Sequence, residues 1–300
     1  MYDILFASSR SSYVGKAHTD KPRVDCMFCA IRDKDPRVWT RLVYQNAKII
    51  VLMNIFPYSP GHLQVIPTMH VKDLKELSDD DLKYALEFVQ KTTKFVKTLI
   101  KPQGFNIGIN LGRAGGASIE HLHFQIVPRY VKPPKLMEQE VIHKLYLDHL
   151  YLLLKPAVMK SVTLKRLESC KCFAKSRYVL NSSPTIILAE RPYNRGHLII
   201  APSSHVSEID NLILDDLFVI FKSSVVAKEA VEKVYSPLGF NIGLNTGKVP
   251  NTSGTHLKLH LVPRYEPESG FMEVVGNTRV IIESLEQAYE KLKVFYSKTI

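Results

Sequence analysis

Three hundred residues with 40 lysines and arginines against 29 aspartates and glutamates carry a net charge of +11, and 45% of them are hydrophobic. At roughly 100–200 residues per domain this is apolar material for two cores. No apolar run reaches the roughly 18 residues of a spanning helix, and Arg10 with its polar serines stands where a secretory signal needs an apolar stretch. The composition therefore argues against a membrane partner and for a cytoplasmic protein. The lysines are spread along the chain, not clustered with aromatics. A solvated basic surface that concentrates small phosphorylated substrates fits this better than a nucleic-acid partner.

In chain order, the first chemical signal is Cys26-Met27-Phe28-Cys29, in a chain with four cysteines. A redox pair at this spacing would want a βαβ context that is absent. Half of a zinc site is the other reading, with His70 and His121 as the remaining tetrahedral donors. Short strands are expected near Arg41 to Tyr44, Lys48 to Met53 and Leu63 to Ile66, with the Pro57-Tyr58 turn between the last two. Leu82, Ala85, Leu86, Val89 and Phe95 make the stripe of a helix from about Ser78 to Ile100, with Ser78 as cap and Asp79 and Asp80 in an acidic first turn. Two more strands, near Phe105 to Leu111 and Leu122 to Val127, close the set. Strands grouped around one helix argue α+β with antiparallel pairing.

Between those last two strands lies Asn110-Leu111-Gly112-Arg113-Ala114-Gly115-Gly116-Ala117-Ser118. Such a loop permits positive φ and can turn backbone N–H groups toward an anion. It runs into His121, His123 and Gln125, which alternate with Leu122, Phe124 and Ile126. On a strand this alternation sends the three polar side chains to one solvent-facing side and the apolar ones to the core. A half-buried strand that merely carries histidines shows the same alternation. The adjoining loop favours a phosphate cradle that delivers a phosphorus centre to an imidazole.

The chain then repeats itself. Gly61-His62 recurs as Gly196-His197 and Arg129 as Arg264, each 135 residues on, and Gly104 to Gly112 faces Gly239 to Gly247. Two domains follow: residues 1–135 and 161–300, joined by a helical connector at 136–160 whose helical part runs from about Leu136 to Leu154. In the second copy Lys258 stands opposite His123, between His256 and His260. A lysine is a nucleophile only when its pKa is strongly lowered, so this copy is expected to be catalytically silent, with Lys258 a fixed positive charge. Cys170-Lys171-Cys172, His205 and His256 offer metal donors there too, at a thiol spacing that departs from the first copy.

The ordered asparagine, glycine-rich loop, serine and alternating histidines resemble the histidine-triad (HIT) family of nucleotide hydrolases and nucleotidyltransferases. Gln125 in the third place is similar to its transferase side, which includes galactose-1-phosphate uridylyltransferases and some diadenosine tetraphosphate phosphorylases. The resemblance implies two tandem domains, each a five-stranded antiparallel sheet with helices, joined as an internal pseudo-dimer. It implies His123 as a nucleophile that becomes nucleotidylated, with Ser118 and Gln125 steadying the phosphoryl oxygens. Asn54, Phe56, Tyr58 and His62 would hold base and ribose, and Asn110, Gly115, Gly116, Ala117 and Ser118 the phosphates. A structural zinc on Cys26, Cys29, His70 and His121, with no organic cofactor, is implied as well.

The substrate class is then dinucleoside polyphosphates or related adenine nucleotides, processed by a phosphorylase. A HIT hydrolase of such nucleotides or of phosphoramidates, and a non-catalytic nucleotide sensor, are the alternatives. The segment Ile4 to Arg10 with Tyr13 resembles the family's start. Gly270 to Val275, continuing through Glu283 to Tyr289, resembles the C-terminal tail of the phosphorylase-like branch.

Overall fold

The computed structural model describes residues 24–130, 138–154, 171–173, 176–247, 256–266 and 283–296. Ile4 to Tyr13, Lys135, residues 155–160, Cys170 and Gly270 to Val275 lie outside them. The chain divides into two compact units. One comprises Met1–Gly108, Ile119–Thr163 and Asn245–Ser253, the other Ile109–Ser118, Leu164–Leu244 and Gly254–Ile300.

The first unit opens with a short helix α1 (Met27–Arg32), then strands β1 (Arg41–Gln45), β2 (Ile49–Met53) and β3 (Leu63–Pro67). Helix α2 (Asp79–Ile100) leads to β4 (Gly104–Leu111) and β5 (Phe124–Arg129), followed by α3 (Gln139–Asp148) and α4 (Leu150–Leu154). The strands pair antiparallel in the order β1-β2-β3-β5-β4. Every residue of β2 and β3 is buried, which matches their nearly unbroken apolar sequences and means that both faces of the sheet are covered. α2 covers one face through its stripe, packing on β3 and β5. Phe28, Ala30, Ile31 and Val38 cover Ile50, Leu52 and Ile66.

The α2 helix begins where the sequence places it. The Ser78 Oγ accepts the N–H of Asp81 at 3.1 Å, and three aspartates fill the first turn, where a helix N-terminus favours negative charge. Gly61, at the turn into β3, has φ +81°, a conformation that excludes most side chains. The buried Tyr146 of α3 fills the space beneath it and donates its hydroxyl proton to Gly61 O at 3.1 Å.

The second unit repeats the order with β6 (Val179–Ser182), β7 (Thr185–Leu188), β8 (Leu198–Ala201), α5 (Leu214–Tyr235), β9 (Gly239–Gly247), β10 (Leu259–Arg264) and a final helix α6 (Leu285–Tyr296). Its strands run antiparallel in the order β9-β10-β8-β7-β6. α6 packs on α5, β6 and β7. The glycine-rich segment Ile109–Ser118 packs in this unit: Asn241 Nδ2 donates to Asn110 Oδ1 at 2.9 Å and to Gly115 O at 2.7 Å. Arg264 Nη1 holds Asn241 from behind, donating to its Oδ1 at 2.6 Å.

Two expectations need correction. β5 starts at Phe124, not Leu122, because the Leu122 N–H bonds to Val71 O at 2.7 Å outside the ladder. His121 and His123 therefore lie on the lead-in to the strand, and neither faces solvent, at 1% and 5% exposure. The expected helix from Leu136 to Leu154 is two helices that meet at His149.

Candidate functional site

His121, His123 and Gln125 are each held by a different partner, and the partners fix what each can do. The His121 Nε2–H donates to Pro67 O at 2.8 Å, which leaves Nδ1 as the lone-pair nitrogen. That nitrogen faces Cys26 Sγ at 3.3 Å and Cys29 Sγ at 3.7 Å, while Cys29 Sγ lies 3.3 Å from His70 Nδ1. All four donor atoms fall within 4.8 Å of one another.

Two donors on one tetrahedral zinc, a sulfur at about 2.3 Å and a nitrogen at about 2.05 Å, stand about 3.6 Å apart. The observed separations fit that figure. Burial, and after it the neighbouring Cys26, pushes the Cys29 thiol up to about 11. A divalent cation among these donors reverses that preference by stabilising the thiolates. Cys26 and Cys29 come from the start of α1, His70 from the turn after β3 and His121 from the lead-in to β5, so the set ties three segments together.

His123 is buried, and its Nδ1–H donates to His121 O at 2.7 Å. Its Nε2 therefore carries the lone pair. Burial lowers the pKa of this imidazole below the ordinary histidine value, against the opposing pull of the His121 carbonyl, so the neutral form persists at neutral pH. The Phe28 ring stands edge-on at 5.1 Å and walls one side. A neutral imidazole with one nitrogen tethered and the other holding a lone pair is equipped for nucleophilic attack.

Gln125 sits opposite Gln64 in the β3–β5 register. The Tyr58 N–H donates to His62 Nδ1 at 3.3 Å, so His62 Nε2 carries a proton, which it donates to Gln125 Oε1 at 2.6 Å. Gln64 Nε2 donates to the same oxygen at 3.3 Å. The Gln125 oxygen is thus consumed by the protein, and its amide nitrogen is the end left to act as donor.

His62 is fully buried with both ring nitrogens engaged, beneath Tyr58, whose ring centre lies 5.4 Å away. Asn54 turns its Oδ1 onto the Phe56 N–H at 2.8 Å. Asn54, Phe56 and Tyr58 are each half-buried. Asn110, Gly115, Gly116, Ala117 and Ser118 pack with the second unit, and the chain passes from them to His121 through Ile119 and Glu120. Gly116 has φ +81°, the positive value expected of an anion-binding turn.

Gln64 was not anticipated as part of this arrangement. The signal was available: it is the one polar residue inside an apolar strand, two places after His62, and hence on the same side of β3. Tyr146 was missed for a different reason. Its helix is remote in sequence, and nothing local shows that Gly61 needs a hydroxyl beneath it.

A model of the HIT domain family matches residues 30–132 and 176–267. The AP-4-A phosphorylase of Mycobacterium tuberculosis (strain ATCC 25618 / H37Rv) is 42% identical over 91 residues, which is 30% of this chain and 47% of that protein, so the chain spans about half the length of this relative. The adenosine 5'-monophosphoramidase hnt1 of Schizosaccharomyces pombe is 35% identical over 107 residues, covering 35% of this chain and 75% of that one. Among solved structures, an ADP-glucose phosphorylase from Arabidopsis thaliana with bound ADP-glucose superposes with a TM-score of 0.64 over 93% of both chains at 18% identity, a likeness of fold. Among the described residues no helix is long and apolar enough to cross a membrane.

Proposed function

From the premise that the chain belongs to the HIT domain family, we propose that it is a nucleotidyltransferase of the phosphorylase kind, acting on dinucleoside polyphosphates or related adenine nucleotides. The observation that carries this reading is the pairing of a tethered neutral His123 with a Gln125 whose oxygen is already spent on His62 and Gln64.

In the first half-reaction His123 Nε2 attacks a phosphorus of the bound nucleotide. A P–N bond forms, the P–O bond to the polyphosphate breaks, and the leaving nucleotide departs as its anion. Charge on the non-bridging oxygens is met by the Gln125 amide N–H and Ser118, with Gly115 beside them, while the N–H groups of Gly116 and Ala117 are spent within the loop on Arg113 O at 2.9 Å and Gly112 O at 3.2 Å and hold its shape. In the second half-reaction an oxygen of inorganic phosphate attacks the same phosphorus, the P–N bond breaks, and a nucleoside diphosphate is released with His123 restored. Neither step needs a titrating third residue, because phosphate leaving groups and phosphate acceptors need little protonation. Asn110 shapes the glycine-rich loop, while Asn54, Phe56 and Tyr58 hold ribose and base. His62 serves this site through Gln125.

Zinc on Cys26, Cys29, His70 and His121 would clamp α1 to the lead-in of β5, and four protein ligands leave no open coordination position, so its contribution is structural. Residues 1–135 form the catalytic domain in this reading, 136–160 the connector and 161–300 a degenerate copy.

Incubation with diadenosine tetraphosphate, with and without inorganic phosphate, tests the reading. Phosphate is expected to accelerate turnover and yield ADP plus ATP. Products unchanged by phosphate, with no ADP carrying the added phosphate, would favour the hydrolase reading, to which the similarity to a phosphoramidase lends support. No turnover in either condition, with nucleotide still bound, would favour a sensor.

A further inference from the structure

β3 runs Leu63-Gln64-Val65-Ile66-Pro67 and is buried along its whole length, Gln64 included at 6% exposure. Taking an amide out of water is unfavourable unless new hydrogen bonds replace the lost ones, and a β-branched residue suits such a position better. The sheet itself does not require the amide. Its counterpart 135 residues on is Ile199, in a β8 that pairs in the same antiparallel way.

The residues across the ladder change in step. Gln64 stands directly opposite Gln125 in β5, and Ile199 directly opposite His260 in β10. Gln125 Oε1 accepts two hydrogen bonds, from the His62 Nε2–H at 2.6 Å and from the Gln64 Nε2–H at 3.3 Å. In the second repeat the Tyr193 N–H donates to His197 Nδ1 at 3.0 Å, so His197 Nε2 carries the proton and donates it to His260 Nδ1 at 3.1 Å. One donor suffices there, because a ring nitrogen has a single lone pair whereas an amide oxygen has two. The second donor is present where the acceptor has a second lone pair and absent where it does not.

The two donors also fix which way the Gln125 amide lies. A flipped amide would set its NH2 group against the Gln64 NH2 and against the His62 N–H, whose proton the Tyr58 N–H confines to Nε2. His62 alone holds the oxygen end inward but leaves one of its lone pairs open.

We propose that Gln64 is a positioning residue that sets the acceptor of the second half-reaction, a role that rests on the reading of His123 and Gln125 as the nucleotidyl-transfer site. By filling the second lone pair of the Gln125 oxygen, it leaves that side chain with N–H groups alone for the reacting phosphorus. Inorganic phosphate arrives as an anion: its oxygen forms the new P–O bond, the P–N bond breaks, and the bonding pair returns to His123 Nε2 with no proton to remove. Water must lose a proton to solvent as the same bonds form and break, and an acceptor beside the phosphorus would hold and orient it. Gln64 withdraws that acceptor, so the adduct favours phosphate over water.

The test is the ratio of AMP to labelled ADP that the full-length protein forms from diadenosine tetraphosphate at a fixed, subsaturating concentration of isotopically labelled phosphate. Both nucleotides come from the same adduct, AMP through water and labelled ADP through phosphate, so the ratio does not depend on how much of a variant is folded. Gln64→Met, of nearly the same shape, and Gln64→Ile, which copies the second repeat, should each raise it roughly 3- to 10-fold, as expected of one neutral hydrogen bond. In a Gln125→His background, where a ring nitrogen replaces the amide oxygen, Gln64→Met should change the ratio by less than about twofold, a coupling that a packing role for Gln64 would not produce. An unchanged ratio in both single variants, or an equal rise in the Gln125→His background, overturns the proposal while labelled ADP from the parent keeps the phosphorylase reading standing. A parent that releases AMP alone at every phosphate concentration overturns that reading and the role of Gln64 with it.

Discussion

The Gly-His turn does the same job in both repeats and meets a different partner in each. His62 Nδ1 accepts a hydrogen bond from the Tyr58 N–H and its Nε2–H donates to Gln125 Oε1, and His197 Nδ1 accepts from the Tyr193 N–H at 3.0 Å while its Nε2 faces His260 Nδ1 at 3.1 Å. In both repeats the third residue of the motif is an acceptor on its inner side and has one N–H end remaining. Glutamine and histidine are equivalent in that respect. The residue between them is not: His123 anchors its ring on His121 O, whereas Lys258 directs its ammonium over the Phe173 ring at 5.7 Å. A duplicated scaffold can thus keep its hydrogen-bond geometry while exchanging the side chain at the position proposed here as the nucleophile.

The comparison breaks most directly at that side chain. His123→Gly is expected to lower turnover by on the order of 10⁴-fold or more and to abolish the acid-labile nucleotidyl adduct, while Lys258→Ala stays within about twofold of the parent. Mass spectrometry after brief incubation with substrate locates the adduct, and finding it on Lys258 would reverse the assignment of the live repeat.

The next largest effect concerns the clamp of the first repeat. Cys29→Ser should lose about one zinc per chain and several kcal/mol of stability, because metal held only by the folded site adds its binding energy to folding. Metal analysis alongside thermal unfolding decides it. An unchanged melting temperature with full zinc would separate α1 from any metal role.

The titrating pair of the second repeat sharpens the contrast with Gln125. Burial, and after it the neighbouring His260, holds His197 down to about 3. Burial with help from Lys258 holds His260 to about 4. Unfolded, both titrate near 6.5, so their full contribution is present above about pH 6.5. As pH falls below that value the unfolded chain binds protons that the fold refuses. Stability then declines by up to about 1.4 kcal/mol per pH unit for each imidazole until the folded pKa is reached. His260→Gln, which installs the first repeat's solution, should flatten the decline between pH 6.5 and 4 in unfolding measured by circular dichroism. An equally steep decline would show that other groups govern it.

The smallest difference lies at the helix starts. α2 is capped by Ser78, whereas the cap position of α5 is the exposed Ile213 with no side-chain bond. Ser78→Ala should destabilise by about 1 kcal/mol and Ile213→Ser should stabilise by a similar or smaller amount, read from denaturant midpoints.

Much of this was legible in the sequence because the determinants are local. The α2 stripe, its serine cap and the β2 and β3 apolar runs are each written within a few residues of where they act. The exact repeat spacing carried the order of elements from one half to the other. Cys26, Cys29, His70 and His121 were legible as donor types, and the fold brings them together. The alternation at His121, His123 and Gln125 misled in one respect, because period two identifies a strand only while the backbone stays in the ladder. Val71 captures the Leu122 N–H, so the ladder begins only at Phe124. Gln64 and Tyr146 were illegible for the opposite reason, since their roles depend on what lies across the sheet or beneath a turn.

The hold of Asn241 on Asn110 and Gly115 has a consequence for the history of the chain. In the proposed reading the second half carries Lys258 in the place of the nucleophile, and such a half would ordinarily be free to drift or be lost. Here the glycine-rich loop of the first repeat is buttressed by an asparagine of the second, with Arg264 bracing that asparagine in turn. Deleting the second copy would remove the support of a loop encoded more than a hundred residues earlier, so selection on the chemistry proposed for the first half would also preserve the second.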